Sequence, residues 1–143
     1  MQVAERIRAD VTAAMKAGDR DRVTALRLVL SELQKDAKEG AGDEQAVLRR
    51  ERKRRRESEL AYREAGRDDL ATAEAYEAET IEAYLPAELS DEDLDRLVSA
   101  AVAETGAASP RDMGRVMKQV MAAAGGRADG KRVSSKVKEA LGT

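Results

Sequence analysis

Apolar residues recur every three or four positions along the first 40 residues, which is the spacing of one face of an α-helix. This pattern predicts two helices over residues 2–17 and 20–38, separated by Gly18 and Asp19. The apolar face of the first contains Val3, Ile7, Val11, Ala14 and Met15, and that of the second contains Val23, Leu26, Leu30, Leu33 and Ala37. Gly40 and Gly42 follow the second helix, as expected of residues that end a helix.

A third helix is predicted to begin after Asp43, as its N-cap, and to continue to Ala65. Its apolar pattern is interrupted, because residues 49–59 contain no apolar side chain. A helix segment without core residues cannot pack in the usual way. This segment therefore either projects into solvent or covers its neighbour with the aliphatic stems of Arg and Lys.

Pro86 divides the chain, because the residue before a proline avoids helical dihedral angles. A fourth helix is predicted over 70–85, and three shorter helices follow Pro86. The predicted buried face of the middle one is Met113, Val116, Met117, Val120 and Met121. No segment alternates with a period of two, so no sheet is expected. The pattern predicts an all-α protein, with an N-terminal bundle of about four helices in residues 1–86 and a C-terminal three-helix domain in residues 87–143.

The composition excludes most side-chain chemistry. The 143 residues include no His, Cys or Trp, which removes the commonest general base, any thiolate nucleophile and any His- or Cys-ligated metal site. The many carboxylates have the positions of helix caps and exposed faces, so we expect no catalytic residues, no metal ion and no cofactor. Because no long apolar run occurs, we also expect neither a signal peptide nor a membrane span, and hence a cytoplasmic location.

Charge is distributed unevenly along a chain whose net charge is only −2. Residues 49–56 contain seven basic residues and one acidic residue, and residues 111–138 contain eight basic and two acidic residues, so each segment has a local charge of +6. Two basic segments in an otherwise acidic chain indicate a polyanionic partner. Since aromatic residues make up only 2% of the chain, we expect RNA to be contacted through its backbone and shape rather than by stacking.

The Arg-rich segment offers the first candidate phosphate contacts, because guanidinium groups match the geometry of phosphate oxygens. We select Arg52, Lys53 and Arg56 there as nucleic-acid-binding residues. The alternative is a solvated helix face on which the cations pair with acidic residues at helical spacing, namely Glu44, Glu51, Glu57 and Glu59.

The second candidate is the glycine-rich turn before the last helix, which contains Gly126, Asp129 and Gly130. Backbone amides at a helix N-terminus, next to cations, form a phosphate-binding arrangement. In the alternative, Asp129 is the N-cap, occupies those amides and repels a phosphate. The candidate phosphate-binding cations of this C-terminal segment are Arg111, Arg115, Lys118, Arg127, Lys131, Arg132 and Lys136.

Gly114 is unusual because it lies within a predicted helix, where glycine costs about 1 kcal/mol relative to alanine. Close packing against another helix is the favoured explanation, and close approach to a ligand backbone is the alternative.

Five motifs occur in a characteristic order and spacing. They are RRRES at 54–58, AGRDDL at 65–70, YLP at 84–86, DMGRVM at 112–117 and GRADG at 126–130. Together they resemble the GatB/YqeY family, and in particular its small free-standing YqeY-like members. The resemblance covers essentially the whole chain and implies an all-α protein with an N-terminal helical bundle joined to a three-helix domain.

The resemblance also implies a function connected with tRNA. The related segment of the B subunit of tRNA-dependent amidotransferases is a tail domain that contacts tRNA, and a similar module is appended to some glutaminyl-tRNA synthetases. We therefore expect a tRNA-binding or tRNA-enzyme accessory module. The alternative is a protein that docks on an aminoacyl-tRNA synthetase or amidotransferase without touching RNA. The family label of carbon–nitrogen ligase activity, with glutamine as amido-N-donor, is the least expected function, because the chain lacks the catalytic cradle of the B subunit.

Overall fold

The computed structural model describes residues 2–142, and all regular secondary structure in that part of the chain is helical, so the all-α prediction is confirmed. In chain order the elements are α1 (Gln2–Ala17), α2 (Arg20–Glu39), α3 (Glu44–Glu64), α4 (Asp68–Glu82), α5 (Asp91–Thr105), a 3-10 turn (Pro110–Asp112), α6 (Met113–Ala124) and α7 (Gly130–Leu141). Contacts within the chain group α1–α4 into one compact unit, Met1–Pro86, and α5–α7 into a second, Ala87–Thr143. That residues 87–143 keep their helical structure as a separate fragment stays a prediction.

The core of the first unit lies among α1, α2, the start of α3 and the end of α4. Its largest fully buried side chains are Ile7, Leu26, Leu33, Leu48 and Ile81. Most residues of the two predicted apolar faces belong to this core or pack against it. Met15 and Ala37 are the exceptions, since Met15 is 56% exposed and Ala37 is also exposed. Both lie in the last turn of their helices, so the predicted faces extend one turn too far.

Glu44 connects the starts of two helices. Its carboxylate accepts the backbone N–H of Val3 at 3.2 Å and that of Ala4 at 2.9 Å, so a residue in the first turn of α3 caps α1. Asp43, directly before it, caps α3 by accepting the N–H of Ala46, as predicted. Two consecutive carboxylates therefore satisfy backbone donors at two helix N-termini, where negative charge is also favoured by the helix dipole.

Helix α3 packs lengthwise on α4 through its Arg-rich segment. This is the most extensive contact between two helices in the described part of the chain, and it follows the second of the two alternatives that the sequence left open. The buried residues of α4 include Ala71 and Ala78, together with Ile81 near its end. Within the Arg-rich segment of α3, residues 49–59, the buried residue is Glu51, which is only 2% exposed. Arginine stems and an acidic side chain thus take the place of an apolar stripe.

Helix α4 begins earlier and ends earlier than the predicted range of 70–85. Asp68 and Asp69 form its first turn, where acidic residues favour the helix dipole. At the other end, Leu85 N–H bonds to the Glu82 carbonyl, a three-residue spacing that tightens the chain before Pro86. Because a residue before proline avoids the helical conformation, the helix cannot reach residue 85.

Tyr84 anchors this tightened segment to α1. Its hydroxyl donates a hydrogen bond to the Asp10 carboxylate, and the guanidinium of Arg6 lies 5.1 Å from the centre of its ring. Burial, followed by the bond to Asp10, raises the pKa of Tyr84 to about 12. The chain is therefore held firmly just before Pro86.

The core of the second unit combines all three of its helices. The buried side chains that form it are Leu89, Leu94, Val98, Ala101, Val116, Val120, Ala124, Ala128, Val133, Val137 and Leu141. Met113 and Met117 pack against this core, whereas Met121 is 37% exposed, so the predicted buried face of α6 is one residue too wide.

Candidate nucleic-acid interface

Two of the candidate cations hold α7 against α5. Arg132 donates to Asp91 at 2.9 Å, and Lys136 lies 3.0 Å from the carboxylate of Asp95. The bond from Arg132 and the charge of Lys136 lower the pKa of Asp91, and the bond to Asp95 raises the pKa of Lys136. Both cations are largely neutralised within the unit. Sequence reasoning assigned this acidic stretch to caps and exposed faces, and the pairing between helices is the part that it missed.

Arg127 acts as a cap at the C-terminal end of α6. Its guanidinium donates to the carbonyl oxygens of Ala124 at 2.9 Å and Ala123 at 3.3 Å. These carbonyls belong to the last turn of α6 and have no partner within the helix. The backbone carbonyl of Arg127 in turn accepts the N–H of Leu89 at 2.8 Å. Arg127 is half-buried, and both its side chain and its backbone carbonyl stabilise this turn.

The glycine-rich turn follows the alternative interpretation, in which a carboxylate of the chain occupies the helix N-terminus. Asp129 is the N-cap of α7 and accepts the N–H of Arg132 at 2.9 Å. Gly125 and Gly126 adopt the left-handed backbone conformation that ends α6, whereas Gly130 already belongs to α7. One amide that a phosphate would use is thus occupied by a carboxylate, which also repels an anion.

The remaining cations lie on α6, in the 3-10 turn before it and at the start of α7. Arg111 and Lys118 are exposed, and neither forms an ion pair with another residue in the described range. Arg115 is exposed as well, but it bonds to the Asp112 carboxylate and to the Thr105 carbonyl. Lys131, at the start of α7, is exposed and unpaired among residues 2–142.

Asp112 is the acidic group nearest to these cations in sequence. Its carboxylate accepts backbone N–H groups of Ala108 at 3.0 Å and Ser109 at 3.4 Å, and it pairs with Arg115. The bond from Ala108, followed by that from Arg115, lowers the pKa of Asp112. Its negative charge is therefore already compensated by local donors rather than by Arg111 or Lys118.

The structure contradicts the favoured explanation for Gly114, which was close packing against another helix. The helix proper begins at Met113, after the 3-10 turn, so Gly114 occupies the first turn of α6. It is exposed, and a Cβ added there would meet no heavy atom within 4 Å. Close packing against another helix of its unit, the favoured explanation, is therefore wrong, because no other part of the second unit approaches this position.

The Arg-rich helix uses several of its cations internally. Arg56 bonds to Glu59 at 2.8 Å and to Glu82 of α4, and the bond to Glu59 is the main cause of the raised pKa of Arg56. Arg55 bridges to Glu77 of α4 at 2.8 Å, and Arg54 pairs with Glu51 at 3.0 Å. Arg56 thus follows the alternative in which the cations pair with acidic residues, although the spacing along the sequence gave no sign of the acidic partners on α4.

Lys53 points outward from the Arg-rich helix, while Arg52 is half-buried and has a partner within the chain. Arg50, which sequence reasoning did not select, is also exposed. It lines a groove of about 320 Å³ between α2 and α3, together with Lys35, Arg54 and three acidic residues, Glu32, Asp36 and Glu39. Because acidic and basic groups are balanced in this groove, it is a poorer phosphate site than the face of α6.

No three acidic side chains in residues 2–142 lie close enough to hold a metal ion. In the same range, no helix has both the length and the apolar character needed to cross a membrane.

Comparison with family sequence models shows the family of this chain. The sequence model of a family described as YqeY-like protein matches residues 4–141, which is nearly the whole chain and confirms the resemblance drawn from the motifs. A search of curated proteins finds none with significant similarity to this sequence.

Proposed function

Since the chain belongs to the YqeY-like protein family, we propose that it is a tRNA-binding accessory protein whose outer α6 face contacts the sugar-phosphate backbone. The observation that carries the proposal is the division of the C-terminal cations into two groups. One group is bonded to carboxylates or carbonyls of its own unit. The other, formed by Arg111, Lys118 and Lys131, is exposed and has no ion pair in the part of the chain that the structure describes.

Free cations favour phosphate binding for a thermodynamic reason. A cation already paired with a carboxylate gains little from a phosphate, because it must first lose its partner. An exposed, unpaired cation releases condensed counterions from RNA when it binds. The related tail domain of amidotransferase B subunits, which contacts tRNA, supports RNA as the polyanion by resemblance.

The test compares two double variants that change the net charge equally. Arg111→Gln with Lys118→Gln removes unpaired cations, and Arg132→Gln with Lys136→Gln removes paired ones. Binding of purified bulk tRNA is measured across a range of salt concentrations. We expect the first variant to bind about tenfold more weakly and to lower the salt slope by about two, whereas the second keeps most of its affinity.

Equal losses of affinity in the two variants would contradict the proposal, because net charge alone would then explain binding. Absence of tRNA binding by the unmodified protein at low salt would refute it directly. Circular dichroism of both variants checks that the fold is kept, since the second variant also loses contacts between α5 and α7.

A second candidate function is docking on an aminoacyl-tRNA synthetase or amidotransferase without RNA contact. It is favoured by exposed apolar side chains in the first unit, where Leu60 is 60% exposed and Leu28 is 43% exposed. Pull-down from lysate with and without ribonuclease distinguishes the two functions, because only docking survives the loss of RNA. We do not propose carbon–nitrogen ligase activity, which no side-chain arrangement over residues 2–142 favours. Either function is consistent with the cytoplasmic location expected above.

A further inference from the structure

Gly114 has no role in the packing of its own chain. It is exposed, its backbone is not in the left-handed region, and a Cβ there would meet nothing within 4 Å. An alanine would fit at this position without strain and would favour the helix. The fold of the second unit therefore tolerates a side chain here, and packing within that unit does not explain the glycine.

The neighbours of Gly114 indicate what that partner is. Arg111 lies three residues before it and Lys118 four residues after it, so all three share one face of the helical segment. These two cations are exposed and form no ion pair within residues 2–142. A stretch of helix surface without a side chain thus lies between two available positive charges.

Asp112, the acidic residue next to Arg111 in sequence, does not oppose an anion. Asp112 is turned toward the N–H groups of Ala108 and Ser109 and toward Arg115, which compensate its charge. An uncharged partner helix would also fit against a bare glycine, but it would leave Arg111 and Lys118 without counter-charges. The face therefore fits a phosphodiester better than it fits an apolar helix.

We propose that a phosphodiester of bound RNA lies directly over Gly114, between Arg111 and Lys118, and that the absence of a side chain sets how closely the RNA backbone approaches. This inference rests on the proposed function, since it assigns the point of closest contact on the same face. It makes Gly114 a positioning residue. A side chain there would lift the phosphate away from both cations at once.

The experiment adds side chains at this position and measures binding of purified bulk tRNA together with thermal stability. Gly114→Ala should bind tRNA about threefold more weakly, and Gly114→Leu about tenfold more weakly, with a salt slope lower by about one. Neither variant should lower the melting temperature, because the space is open and both residues are better helix formers than glycine. Ala103→Leu, at an exposed position of α5, is the matched control and should leave affinity and melting temperature unchanged.

Three outcomes would overturn the inference. If Gly114→Leu binds tRNA like the unmodified protein while Arg111→Gln with Lys118→Gln binds weakly, the RNA does not approach Gly114, although the proposed function stands. If Gly114→Leu keeps tRNA affinity but loses a protein captured from ribonuclease-treated lysate, the bare face serves a protein partner instead. If the unmodified protein binds no tRNA at low salt, the proposed function fails and this inference fails with it.

Discussion

Replacing Glu44 by Ala tests how the start of α1 is held in the first unit. The change removes the two hydrogen bonds from Val3 N–H at 3.2 Å and Ala4 N–H at 2.9 Å. These are two of the N-terminal amides of α1 that have no partner within the helix. Loss of a helix cap costs about 1 kcal/mol, and loss of a negative charge at a helix N-terminus about 0.3–1 kcal/mol. We therefore expect the free energy of unfolding to fall by about 1.3–2 kcal/mol.

Urea denaturation followed by circular dichroism measures this loss. Glu44→Gln is the informative second variant, because its amide offers one acceptor oxygen but turns an NH2 group toward the other backbone donor. It should lose nearly as much stability as Glu44→Ala. Gln45→Ala, at the exposed neighbouring position, is the control and should change the free energy by less than about 0.5 kcal/mol. A loss below about 0.5 kcal/mol for Glu44→Ala would refute the reasoning.

Three further predictions concern single features. Because the pKa of Tyr84 is raised to about 12, the folded protein keeps a proton that the unfolded chain releases near pH 10. The free energy of unfolding should therefore fall from about pH 10 to 12. Tyr84→Phe should remove that part of the fall in urea titrations. Arg127→Ala should destabilise the protein by about 1 kcal/mol in the same assay, through the loss of its bonds to the last carbonyls of α6, and no change would show that this cap is dispensable. The fragment of residues 87–143 should show a helical circular dichroism spectrum and a thermal transition on its own, and a random-coil spectrum would contradict independent folding.

Helix positions could be predicted well from the sequence because they depend on local signals. The range of α1 follows from the apolar spacing and from Gly18, and that of α3 from the Asp43 cap. The prediction of α4 is wrong at its end because the effect of Pro86 reaches back through a tightened turn, not only to the preceding residue. The prediction gives the right type of element, a helix, but places its ends at the wrong residues.

Side-chain partners could be predicted far less well, because they depend on which helices become neighbours. The sequence shows Glu51 and Glu59 at helical distances from the arginines, but not Glu77 and Glu82, which come from another helix. The environment of Gly114 has the same limitation. The open space beside it becomes visible only in the folded structure, and it contradicts the favoured explanation for a glycine there.

The contact between α3 and α4 has a consequence for how the protein responds to heating. In its Arg-rich part, residues 49–59 of α3, this contact includes ion pairs such as Arg55 with Glu77 at 2.8 Å, and the same stretch of α3 has no apolar side chain. Separating that stretch from α4 exposes little apolar surface of α3, so this part of the contact adds little to the heat capacity of unfolding. The cost of removing charged groups from water also declines as temperature rises. This Arg-rich part of the contact should therefore lose a smaller share of its stabilisation on warming than the apolar cores of the two units.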